Sequence, residues 1–118
     1  MAEATTDAAT FRDLGSLTAP EWLAVLLAVV TALIHIYLGV TEGLTPFVLA
    51  GIGFLLGAVV FLTAYWRRWF YLVAALFAAV QIVLWIVAGM RFFQIGAADK
   101  VVQALFVVVV LYLYRAGR

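Results

Sequence analysis

The sequence predicts an all-α integral membrane protein, a four-helix bundle, and three observations carry that prediction. Apolar residues make up 69% of the chain and charged residues only 11%, against about 45–50% and about 25% in a soluble domain. Mean hydropathy is +1.21. The apolar residues fall into four long runs nearly free of charge, each close to the ~20 helical residues that cross a hydrocarbon core about 30 Å thick. A chain of 118 residues cannot hide that much apolar surface from water, so its solvent is lipid.

Each element has a local reason to begin and end. Residues 1–19 are Ala/Thr-rich and acidic and read as a mobile N-terminal tail. Glu3 and Asp7 stand where a basic n-region belongs, so no signal peptide is expected. The four-helix domain occupies residues 20–118. The first span covers about residues 20–40: Thr18 and Glu21 form a capping-box pattern, and Pro20 sits in the first turn, where its missing N–H costs little. Thr45 and Pro46 open the second span, about 46–66, which exits at Arg67 and Arg68. A tight hairpin leads to the third, about 69–90, ending at Gly89. Asp99 is placed to cap the fourth, whose apolar run from about Lys100 to Tyr114 is the shortest and marginal for a span unless Ile95 to Ala98 extend it, to about 97–115. Its Val repeat does not signal a strand, because an isolated strand in lipid leaves its backbone unsatisfied.

Lys and Arg set the orientation. Arg12, Arg67, Arg68, Arg115 and Arg118 lie on one side and Arg91 and Lys100 on the other, so both termini are expected in the cytoplasm. Arg67 and Arg68 are expected to contact anionic lipid headgroups. Glu42, Arg91, Asp99 and Lys100 read as solvated helix ends. A net charge of +1 gives no basic face for nucleic acid, and without cysteine there is no disulfide, thiolate or iron–sulfur chemistry.

Helices in lipid meet where small residues let backbones approach. Such stripes include Ala28, Ala32 and Gly39 on the first span, Gly53 and Gly57 on the second, and Ala74 and Ala78 on the third. The fourth carries large apolar residues nearly all round, so spans one to three are expected to form the tight core, with the fourth packed more loosely.

The strongly polar side chains well inside the runs are His35, Gln81 and Gln103, with Thr31 weaker. At about 1.5 Å of rise per residue the first three share one level in the outer half of the bilayer. The residues favour a hydrogen-bonded set between helices, with His35 a neutral imidazole bonded to Gln81 or to a backbone carbonyl. The alternative is a permeation pathway at His35 and Gln81, although no Asp, Glu, Lys or Arg is expected mid-span. Haem ligation needs a second axial ligand from elsewhere or an open position, and catalysis lacks a metal cluster, an activated nucleophile and a second base.

The run YLVAALFAAVQIVLWIVAGM after the AYWRRW turn, with the His of the first span and the glycine-rich second span, resembles small uncharacterised membrane proteins of halophilic archaea. That resemblance implies no activity and brings no functional residue. The expectation is therefore a non-enzymatic multi-pass protein of the cell membrane without a cofactor. It self-associates as a homo-oligomer or serves as an accessory subunit of a larger membrane complex. A minimal homo-oligomeric channel or small-solute transporter is the alternative.

Overall fold

Four helices follow a single 3₁₀ turn in the computed structural model, which describes residues 10–117. They are α1 (Ala19–Thr41), α2 (Thr45–Phe61), α3 (Phe70–Val87) and α4 (Phe93–Arg115). Three of them, α1, α3 and α4, are long and apolar enough to cross a membrane, whereas α2 has 17 residues. At about 1.5 Å per residue α2 spans some 25 Å, short of a typical hydrocarbon core. The shortest helix is thus the second. The fourth begins well before Asp99 and runs for 23 residues.

The early end of α2 has a cause in the N-terminal segment. Residues 1–9 of the expected tail lie outside the described residues, but the segment from Thr10 onward is docked. Phe11 pairs with Thr63 in an isolated antiparallel bridge, with Arg12 N–H donating to Leu62 O and Ala64 N–H to Thr10 O. Those exchanges take the backbone groups that another helical turn would need. Arg12 then reaches both the Phe61 carbonyl at 2.9 Å and Glu21 at 2.8 Å. Glu21 also accepts from the Thr18 N–H and hydroxyl, completing the α1 start that Thr18, Pro20 and Glu21 predict.

The antiparallel pair α1 and α4 forms the centre; α2 packs on α1 and α3 on α4, while α2 and α3 make no extensive contact. The expected order of tightness is therefore corrected: α4 is central and α3 peripheral. The buried residues explain this. On α1 they include Glu21, Ala24, Ala28, Thr31, His35 and Leu38; on α4 they are Gly96, Asp99, Gln103, Phe106, Val110 and Leu113. Both series alternate steps of three and four, the spacing of a seam between two helices.

The small-residue stripes are only partly seams. Ala28, Ala32 and Ala78 are buried, at 4%, 0% and 0% exposed, and Ala74 is half-buried. At Gly39 and Gly51 α1 and α2 approach closely: a Cβ would lie 2.8 Å from Val48 N at Gly39, and 2.7 Å from Ala32 O at Gly51. Gly53 gives room to the Phe77 ring, and Gly57 faces open space. Gly57 is therefore not a helix contact, because α2 and α3 diverge there.

The α3–α4 connection is tight. Gly89, Met90 and Phe92 all take left-handed backbone conformations, which side-chain-bearing residues adopt at a cost. Trp85 closes the turn, its Nε1 donating to Arg91 O at 2.8 Å over Gly96, where any Cβ would collide with the indole.

Candidate functional site

Thr31 and His35 lie one turn apart on the α1 seam, and Asp99 occupies the facing seam of α4. His35 is six residues from the end of α1 and Asp99 six from the start of α4, so both sit about 9 Å inside the same end of the bundle. Asp99 is 2% exposed, Thr31 0% and His35 6%. The Thr31 hydroxyl donates a short hydrogen bond to Asp99 Oδ1. Lys100 Nζ donates to Asp99 Oδ2 at 2.7 Å, and His35 Nδ1 lies 3.7 Å from the same oxygen.

The imidazole is oriented from within its own helix. His35 Nδ1 is 2.8 Å from the Thr31 carbonyl, and a carbonyl only accepts, so Nδ1 carries a proton. In a neutral ring Nε2 is then the nitrogen with the lone pair. The rings of Phe47 and Phe54 stand at 5.7 and 6.0 Å from the imidazole, walling the site with apolar surface. Lys100, next to Asp99 in sequence, extends its ammonium toward the Trp85 ring at 5.9 Å. The result is a carboxylate, an ammonium, an imidazole and a hydroxyl in a setting of low polarity, where each electrostatic interaction is stronger than in water.

One turn further along α4, Gln103 is fully buried and donates to Gln81 Oε1 on α3 at 3.1 Å, while Gln81 donates to its own Phe77 carbonyl. Gln103 Oε1 is buried with no donor. Asp99 and Gln103 thus share one face of α4, and a polar line runs from α1 through α4 to α3.

The predicted polar set is divided in two. Thr31 joins His35, and Gln81 joins Gln103, but His35 bonds to Thr31 and not to Gln81. Asp99 and Lys100 belong to the site, a correction to their reading as solvated helix-end groups. Because α4 starts at Phe93, Asp99 falls in its second turn, toward one end of the helix and not at its middle. The signal was present: Asp99, Gln103, Phe106, Val110 and Leu113 keep the seam spacing once the helix is begun early enough.

Residues 5–114 match the DUF7475 family, a family of unknown function. The chain belongs to that family. No curated protein and no solved structure matches it. In this DUF7475 member the arginines expected at lipid headgroups differ in their engagements. Arg67 contacts the carbonyls of Ala64 and Trp66 at 3.3 Å. Arg68 donates twice to Tyr114 O, at 2.9 and 2.7 Å, and stacks over the Tyr114 ring, so its charge faces the carbonyl end of α4.

Proposed function

We propose that this DUF7475 chain is a non-enzymatic, four-span protein of the cell membrane that relays protons through Thr31, His35, Asp99 and Lys100. It works as a homo-oligomer or as a subunit of a larger membrane assembly. The observation that carries the reading is the burial of Asp99 between an imidazole and an ammonium inside an apolar helix pair. Ionisable groups within membrane spans are expensive, and they commonly mark ion paths and proton relays. Stability alone is a weak reason for such a cluster, since the desolvation of a buried ion pair can exceed its attraction. A proton taken up at His35 Nε2 makes an imidazolium, whose Nδ1 proton passes to Asp99 Oδ2, 3.7 Å away, when the ring turns from the Thr31 carbonyl. His35 is left neutral, Asp99 releases the proton to water at the outer face, and Thr31 and Lys100 hold the carboxylate in place. The kinship with small membrane proteins of halophilic archaea is part of this proposal and rests on the AYWRRW turn and the VQIVLW stretch.

Proteoliposomes holding a pH-sensitive dye and driven by a potassium diffusion potential test the reading. The wild-type chain is expected to acidify the lumen faster than empty vesicles do. Asp99→Asn should fall to the empty-vesicle rate while keeping its helical content. A second reading has its own observation, the Thr31–Asp99 bond that ties α1 to α4: the cluster would then be an interhelical clamp. Wild-type vesicles no leakier than empty ones would select the clamp.

The Lys and Arg bias supports cytoplasmic termini, which puts the Asp99 cluster toward the outer face. Because the chain has no native cysteine, single cysteines can be labelled in intact cells. An impermeant maleimide should modify a cysteine replacing Glu42 and spare one replacing Gly117. The reverse pattern would invert the topology.

A further inference from the structure

The end of the bundle opposite Asp99 is built differently. There α2 and α3 stand apart, and the space between them is a cavity of about 450 Å³. Gly53, Gly57 and Phe54 wall it from α2, and Val73, Ala74 and Phe77 from α3. A Cβ at Gly57 would meet nothing within 4 Å. The cavity reaches Trp66, and Trp66 also lines a second cavity of about 250 Å³ with Arg12, Thr63, Arg68 and Gly117. An apolar slot and a cationic pocket thus border the same indole. Trp66 Nε1 is buried, with the Tyr71 hydroxyl as its neighbour. Arg12 is neutralised by Glu21 at 2.8 Å, whereas Arg68 pairs with no carboxylate among the described residues.

We infer that this is the seat of one anionic phospholipid, its acyl chain between α2 and α3 and its headgroup phosphate at Arg68. Charge and shape agree on that occupant. The slot falls within the roughly 300–1,000 Å³ of cavities that bind small molecules, and it is lined by the hydrocarbon and aromatic groups that an acyl chain contacts. The Arg68 guanidinium gives Nε and Nη2 to Tyr114 O, and its Nη1 donors suit a phosphate oxygen. A phosphatidylcholine carries the same tails but brings a quaternary cation to the arginine. The inference rests on the membrane reading of the chain and uses none of the relay's titratable groups, although Phe54 borders both sites.

Native mass spectrometry of the chain in a mild non-ionic detergent tests it, with phosphatidylglycerol or phosphatidylcholine of identical acyl chains added. One phosphatidylglycerol per chain should be retained, and phosphatidylcholine about fivefold less, the worth of one arginine near a phosphate surface. Arg68→Gln should lower phosphatidylglycerol retention about fivefold, to the phosphatidylcholine level. Gly57→Leu fills open space, so it should leave the melting temperature unchanged and abolish retention of both lipids. Glycerol phosphate, a headgroup without tails, should not bind. Equal retention of the two lipids, or retention of phosphatidylglycerol unmoved by Arg68→Gln, would overturn the site and leave only a shell of surrounding lipid. Arg68→Gln also removes the bonds to Tyr114 O, so its melting temperature is measured too. Lowered retention at an unchanged melting temperature assigns the loss to the headgroup even if Gly57→Leu disturbs the fold. Proton flux in proteoliposomes, measured alongside, reports on the Asp99 cluster alone.

Discussion

Asp99→Leu is expected to destabilise the bundle by about 3–5 kcal/mol, the usual cost of removing one partner from a buried charge pair. The loss has several parts. Lys100, whose side chain is only 13% exposed, keeps an ammonium with no counter-charge, and the Thr31 hydroxyl, fully buried, loses its acceptor. Asp99→Asn should be milder, because an amide oxygen still accepts from Thr31. Adding Lys100→Leu to Asp99→Leu should recover much of the loss, since replacing both members of a buried pair by apolar residues is often close to neutral. Reversible unfolding in detergent, followed by circular dichroism, gives the cycle directly. A single-variant loss below about 1 kcal/mol, the range of exposed ion pairs, would place Asp99 in water and remove the basis of the proposed relay.

The second large effect belongs to the α1–α2 contact. Gly51→Leu should cost about 3 kcal/mol, at the upper end of overpacking penalties. A Cβ there meets the Ala32 carbonyl oxygen at 2.7 Å and Ile36 at 2.6 Å. The isoleucine can rotate away; the carbonyl belongs to the α1 backbone, so the helices themselves have to separate. Gly57→Leu, six residues along the same helix and on another face, serves as the control. Both variants present the same side chain to a glycine-rich helix, and only the tertiary position differs. Equal melting temperatures would mean that α1 and α2 do not meet at Gly51.

Several features of the candidate site could be read without coordinates. His35 and Thr31 are four residues apart and polar within an apolar run, so their shared face follows from the helical repeat. Gln81 and Gln103 were also marked by polarity, and they do bond to each other. What polarity could not supply was azimuth: three residues at one depth can still face different neighbours, and His35 faces α4 while Gln81 lies across that helix from it. Asp99 was hidden by a different cause. Its type suits an N-cap, and the cap position is decided by where the turn before it can close. Here Gly89, Met90 and Phe92 take left-handed conformations and Trp85 bonds to Arg91 O, which lets α4 begin at Phe93 and draws Asp99 into the seam.

Composition and the length of the apolar runs determined that this protein is all-α, with helices suited to lipid, because in that solvent the backbone must satisfy itself. The start of α1 was likewise settled locally, by Thr18, Pro20 and Glu21 within one turn. Which helices touch was settled only in three dimensions. Large residues on α4 suggested a loose outer helix, but their seam spacing fits the small-residue face of α1, so α4 became the centre. Gly51 and Gly57 look alike in sequence; one is crossed by a neighbouring backbone and the other opens on a cavity. Contact depends on the pairing of two faces, and a single helix's residues specify only one of them.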